Sequence, residues 1–205
     1  MLPSPSQQVW EIIPRKKIEE TKALAFEDGP FTKKIGTKKR RAPLIAVLTK
    51  GFMVLKIAFD YLKVDGSEAT DLMIDLEKHL SSDEDINIIF LHGVAYAGFN
   101  VVDVQRLREA TNRPIILVLR SKPNPEAVKE ALIKHFRDWD RRLDIISKAG
   151  DPRFFEVYPG IPIFYETIGM EAHEAEALIR AFTILGKTPE PLRIARILAE
   201  ALGTF

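Results

Sequence analysis

Two apolar runs, "INIIFL" (Ile86–Leu91), broken only by Asn87, and "PIILVLR" (Pro114–Arg120), closed by Arg120, flank a segment that carries helical signals. A strand that is apolar at every position must be buried on both faces, and only a sheet with helices on each side provides that. The runs therefore demand a layered α/β sheet. Upstream the pattern differs. "TKALAFE" (Thr21–Glu27), "PLIAVLT" (Pro43–Thr49) and "FMVLKIAFDYLKV" (Phe52–Val64) read as strands, the last two joined by a hairpin turn at Lys50-Gly51. Ser67 caps a predicted helix whose apolar positions Ala69, Leu72, Met73, Leu76 and Leu80 follow the 3.6-residue period.

Asn100 is expected to cap the next helix, with Asp103 reaching back as in a capping box. Asn124-Pro125 opens another, since proline at the first helical position wastes no donor. "RFFEVYPGIPIFYETIG" offers one or two further strands, and two helices, Glu171–Leu185 and Pro191–Leu202, close the chain. The expected architecture is α/β: a mixed sheet with three leading antiparallel strands, then alternating helices and strands. That order suits a ribonuclease H-like fold better than a Rossmann fold, whose first connection is a crossover helix. Residues 1–20 read as an N-terminal arm and 21–205 as one domain.

The chain has no cysteine, which excludes disulfides and thiolate metal sites. It has no apolar stretch near membrane-spanning length and no apolar signal core, so the expectation is a soluble, cytoplasmic protein with no membrane partner. A net charge of +1 conceals two charged segments. Arg15–Arg41 holds ten Lys/Arg against four Asp/Glu, and Asp65–Asp85 holds eight Asp/Glu against one Lys. The basic loop Lys33–Arg41 carries six positive charges, Lys38, Lys39, Arg40 and Arg41 among them, and could track a nucleic-acid backbone or simply be solvated. Neither of the glycine-rich nucleotide-cradling patterns is present, nor is the H-E-x-x-H pattern of zinc hydrolases.

Six segments in order carry a more specific signal: "EDGPF" (Glu27–Phe31), "VDGSEAT" (Val64–Thr70), "AGFNVVD" (Ala97–Asp103), "RPIILVLRSKP" (Arg113–Pro123), "RDWDRRLDIISKAGDP" (Arg137–Pro152) and "PEPLRIA" (Pro189–Ala195). Together they resemble an archaeal family of unknown function related to endonuclease V, from about Ala23 onward. The resemblance implies a ribonuclease H-like fold and kinship with an enzyme that nicks nucleic acid near deaminated bases. It also implies a divalent metal, magnesium or manganese, held by carboxylates at strand ends, and DNA or RNA as partner. Hydrolysing a phosphodiester needs charge stabilisation on the phosphate and an activated water, and magnesium prefers one or two carboxylates plus water and phosphate.

Carried over position by position, the resemblance nominates Glu27, Asp28, Asp65 and His92 as catalytic residues, with Glu27, Asp65 and His92 as metal ligands. Family members usually carry Asp-Asp where this chain has Glu27-Asp28, and Asp-Gly where it has His92-Gly93. A neutral imidazole cannot replace the charge of an aspartate, so the implied metal centre is incomplete. Arg120 and Lys122 fall at a strand end suited to phosphate, and Arg196 stands where the nuclease tends to have a histidine. Tyr96, Phe99 and Trp139 are candidates for stacking on a base. Each residue also has a structural reading: acids beside Gly29-Pro30 cap turns, Asp65 favours a helix dipole, and His92 can be a hydrogen-bonded crevice residue. Three functions follow: a nucleic-acid-associated protein with a weakened metal centre, an active metal-dependent endonuclease, or a non-catalytic protein- or small-molecule-binding domain.

Overall fold

The computed structural model describes residues 15–31, 41–119 and 121–203. A short helix, α1 (Arg15–Glu20), precedes β1 (Lys22–Asp28), β2 (Arg41–Lys50) and β3 (Met53–Lys63). These three strands pair antiparallel in succession, as their patterning predicts. After α2 (Ala69–Leu80) the chain enters β4 (Ile88–Leu91), then a two-stranded hairpin of β5 (Ala95–Tyr96) and β6 (Asn100–Val101). Next come α3 (Val104–Thr111), β7 (Ile115–Leu119), α4 (Pro125–His135), α5 (Trp139–Ser147), β8 (Arg153–Tyr158), β9 (Ile161–Ile168), α6 (Ala172–Phe182) and α7 (Glu190–Gly203).

The large sheet has the order β3-β2-β1-β4-β7-β9-β8. β4 lies parallel to both β1 and β7, so the two apolar runs occupy the middle of the sheet. Strand alternation divides the core into two layers. Leu24, Phe26, Ile89 and Leu91 face a cluster that includes Met73 of α2 and Leu107 of α3. Ala23, Ala25, Ile88 and Phe90 face one that includes Ile179 and Phe182 of α6 and Ala195 and Ala199 of α7. A fully buried Phe90 or Phe26 contributes about 1.5–3 kcal/mol, and both anchor the strands whose ends form the cleft described below. Ile18 of α1 packs against the second cluster, although the sequence reads it as part of an arm.

Two capping assignments are corrected. Asp103, not Asn100, caps α3, its carboxylate accepting from the Arg106 N–H at 3.0 Å. Asn100 is fully buried and serves a distant helix: its side-chain oxygen accepts from Ala69 N–H at the start of α2, and its amide donates to the Lys63 carbonyl. Ser67 does not cap α2, whose N-cap position is Glu68. Asn124 caps α4 as expected, with Pro125 in the first turn.

One buried acid has consequences for stability. Glu166 of β9 is 8% exposed, and its Oε2 has no hydrogen-bond partner among the described residues. Burial, helped by the nearby charge of Asp151, raises its pKa from 4.5 to about 7. A carboxyl with a raised folded-state pKa stabilises the fold while it keeps its proton, and that contribution is lost as pH climbs from 4.5 towards 7. Glu166→Gln keeps the shape without the titration. Thermal melts should show equal stability at pH 4.5 but a variant more stable by roughly 1–3 kcal/mol at pH 8. Equal melting of the two proteins at pH 8 would refute this.

Candidate functional site

The parallel pairing of β1 and β4 sets Phe26 opposite Leu91, so Glu27 and Asp28 emerge at the same sheet edge as His92. The carboxyl ends of parallel strands are where open α/β sheets bind ligands. Here they open into a cleft of about 750 Å³ lined by Glu27, Asp28, His92, Ser121, Arg196 and Glu200, among others. Gly29 lets the end of β1 abut α7: a Cβ there would stand 2.3 Å from the Ala199 carbonyl oxygen. The close approach brings the α7 side chains Arg196 and Glu200, joined at 2.8 Å, to the same cleft.

His92 stands between the two acids. Its Nδ1 lies 2.6 Å from Glu27 Oε2 and its Nε2 lies 3.4 Å from Asp28 Oδ1. Burial opposes a charged imidazole, but the Glu27 carboxylate beside it and the charge of Asp28 outweigh burial and raise its pKa. Burial raises the Asp28 pKa, against the pull of His92 and of a hydrogen bond from the Ala97 N–H. Tyr96 supports the imidazole from below, ring centroids 4.4 Å apart, while its hydroxyl donates to the Phe26 carbonyl. Tyr96 is fully buried and so cannot stack on a base. Phe99 is partly exposed and packs edge-on against Phe136.

The nominated acids thus separate. Glu27, Asp28 and His92 share the cleft, whereas Asp65 does not line it. The Asp65 carboxylate accepts from the Phe99 N–H at 3.0 Å, on the far side of the Ala97-Gly98 turn. Lys122 is exposed beside two cleft residues, Ser121 and Pro123, and Arg41 is exposed at the start of β2. Lys38, Lys39, Arg40 and Arg120 lie outside the described residues. Tyr96 as support and Ala97 N–H as a donor to Asp28 were not foreseen, because both depend on the β5–β6 hairpin.

The donor set tests a cation site directly. Glu27 Oε2 and His92 Nδ1 are both buried and make no aligned hydrogen bond despite their proximity. Two hard carboxylates with unused lone pairs fit magnesium or manganese, which take the rest of their shell from water and phosphate. Among the described residues no group of three or more His, Asp or Glu is arranged to hold one ion, so a closed three-side-chain site of the zinc type does not fit. No helix among the described residues is long and apolar enough to cross a membrane.

Comparison with known proteins bears on family and fold. A family model described as endonuclease dU matches residues 19–203. The UPF0215 protein of Thermococcus sibiricus is 38% identical over 189 residues, covering 92% of this chain and 95% of its own. A crystal structure of a protein of unknown function from Archaeoglobus fulgidus is similar at TM-score 0.75 and 30% identity, covering 89% of this chain and 98% of that one. Endonuclease V of Ciona intestinalis, in complex with DNA containing an inosine, superposes at TM-score 0.58 and 12% identity, covering 93% of this chain and 94% of that one. At that identity the likeness is one of fold, and it is the ribonuclease H-like fold that the strand order predicts.

Proposed function

The chain belongs to the endonuclease dU family, an archaeal family related to endonuclease V, and from that premise we propose that it cuts a phosphodiester in nucleic acid bearing a deaminated base. The observation that carries this reading is the carboxylate pair Glu27 and Asp28, brought by the end of β1 to one open cleft beside His92, which the adjacent strand β4 delivers. A divalent cation held there, magnesium or manganese, supplies charge stabilisation on the phosphate and makes a water more acidic. Glu27 and Asp28 hold it, and Asp28 keeps its orientation through the Ala97 N–H. Arg196 at the cleft offers a phosphate-binding guanidinium once released from Glu200. Ser121 and the neighbouring Lys122 would guide the strand, together with Arg120 and the basic loop Lys38–Arg41.

In this reading residues 21–205 act as one domain in the cytoplasm. His92 makes the centre weak, because its imidazole already occupies the space between the acids. That same contact favours a second reading, in which the cleft binds damaged strands without cutting them. Oligonucleotides carrying uracil, inosine or neither, incubated with magnesium, manganese or a chelator, separate the two. The first reading predicts metal-dependent nicks confined to the modified strands. Tight binding of modified strands without nicks in either metal leaves the second. No preference for a modified strand in binding or cutting overturns both.

A further inference from the structure

Three segments that the cleft leaves unused, "VDGSEAT", "AGFNVVD" and "RDWDRRL", meet at one buried side chain, Arg142 of α5. Its guanidinium donates from Nη1 to the Gly66 and Phe99 carbonyls and from Nη2 to the Asp65 carbonyl. Its Nε is held by the Asp138 carboxylate, and its Cζ lies 4.4 Å over the Phe136 ring. Arg142 thus joins the turn after β3 to the β5–β6 turn.

Asp65 continues the chain of contacts. Its backbone N–H donates to the Ala97 carbonyl at 2.8 Å, and its carboxylate accepts from the Phe99 N–H. Asp65 and Ala97 both have positive φ, 59° and 45°. L-residues with side chains seldom adopt that conformation, and they persist in it only where neighbours over-determine it. Gly98, which follows Ala97 and packs on Asp65, must be glycine: with φ 86°, a Cβ would stand 2.2 Å from Asp65 Oδ1. The constrained turn ends on one donor, the Ala97 N–H, which points at Asp28 Oδ2 at 2.7 Å.

We infer that Arg142 and Asp65 form a clamp whose role is to aim Asp28, so that Oδ2 is spent on Ala97 and Oδ1 faces the cleft. Asp65 is therefore a positioning residue and not a metal ligand. The inference deepens the cation reading above and rests on it only for the affinity readout. Partners that orient a ligating carboxylate typically matter about tenfold to a hundredfold in metal affinity.

Asp65→Asn, Asp65→Ala and Arg142→Gln separate the roles. Asparagine retains an oxygen that accepts from Phe99 N–H, whereas alanine does not. Amide exchange at Ala97, followed by NMR, reads the clamp itself, and calorimetric titration with Mn²⁺ reads its consequence. Asp65→Ala and Arg142→Gln should each speed Ala97 exchange and weaken Mn²⁺ binding by about tenfold or more. Asp65→Asn should keep both near the wild-type value. If Asp65→Asn loses Mn²⁺ as fully as Asp65→Ala while Ala97 exchange is unchanged, Asp65 is a ligand and the clamp is overturned. Unchanged Ala97 exchange in both Asp65→Ala and Arg142→Gln overturns it as well. Should Arg142→Gln not fold, the Asp65 pair still decides. If the wild-type protein takes up no Mn²⁺, the cation reading fails, and Ala97 exchange still tests the clamp.

Discussion

Glu27→Gln should abolish metal-dependent nicking while leaving the fold and strand binding in place. The substitution is nearly isosteric and removes one carboxylate of the pair. Glu27 is 8% exposed at the end of a central strand, and its Oε2 lies 2.6 Å from His92 Nδ1, a position from which a glutamine oxygen can still accept. Charge stabilisation by a bound cation is worth several kcal/mol, and each 1.4 kcal/mol or so is a factor of ten in rate. A fall of about a thousandfold is expected in the nicking of a uracil- or inosine-containing strand. Affinity for the same strand without metal should change less than about threefold, because backbone contacts come mostly from Lys and Arg elsewhere. Nicking that survives Glu27→Gln would assign the cut to something other than this cleft.

His92→Asp should act in the opposite direction. The imidazole sits 2.6 Å from one acid and 3.4 Å from the other, where a cation would need to enter. The family resemblance implies Asp-Gly at this position in place of His92-Gly93. An aspartate would add a third carboxylate and remove the competing imidazole. Without metal, three acids at the cleft repel one another, so the variant should melt below wild type in a chelator. With Mg²⁺ or Mn²⁺ the repulsion becomes attraction, and the stability gained should rise with metal concentration as linkage requires. Metal affinity at least about tenfold tighter than wild type is expected from one added carboxylate partner. A variant whose melting is indifferent to metal would show that the acids do not converge on a cation.

The strands were legible because burial on both faces leaves a direct record in sequence. "INIIFL" and "PIILVLR" could only be central, and β4 and β7 are. Three consecutive strand-like runs without a helix between them likewise required antiparallel pairing. The cleft was legible through Glu27, Asp28 and His92, since strand ends are identifiable once the strands are. What those residues do to each other was not, because it depends on the Phe26–Leu91 register, which no local pattern encodes.

Long-range hydrogen bonding accounts for the remaining differences. Asn100 lies near the start of a helix, yet its amide serves a helix that begins 31 residues earlier. Capping rules are local and cannot anticipate that. Asp65 looked like a candidate ligand at a strand end, but a turn with positive φ directs its carboxylate to Phe99 N–H. Arg142 had no signal beyond its place in a recurring segment, because its carbonyl partners lie 43 to 77 residues away.

The most direct measurement is anomalous diffraction from crystals soaked in Mn²⁺, with and without a short uracil-containing strand. A peak within bonding distance of Glu27 and Asp28, and remote from Asp65, is the result this account predicts. A peak ligated by Asp65, or no peak at Glu27 and Asp28 with the strand bound, would contradict it.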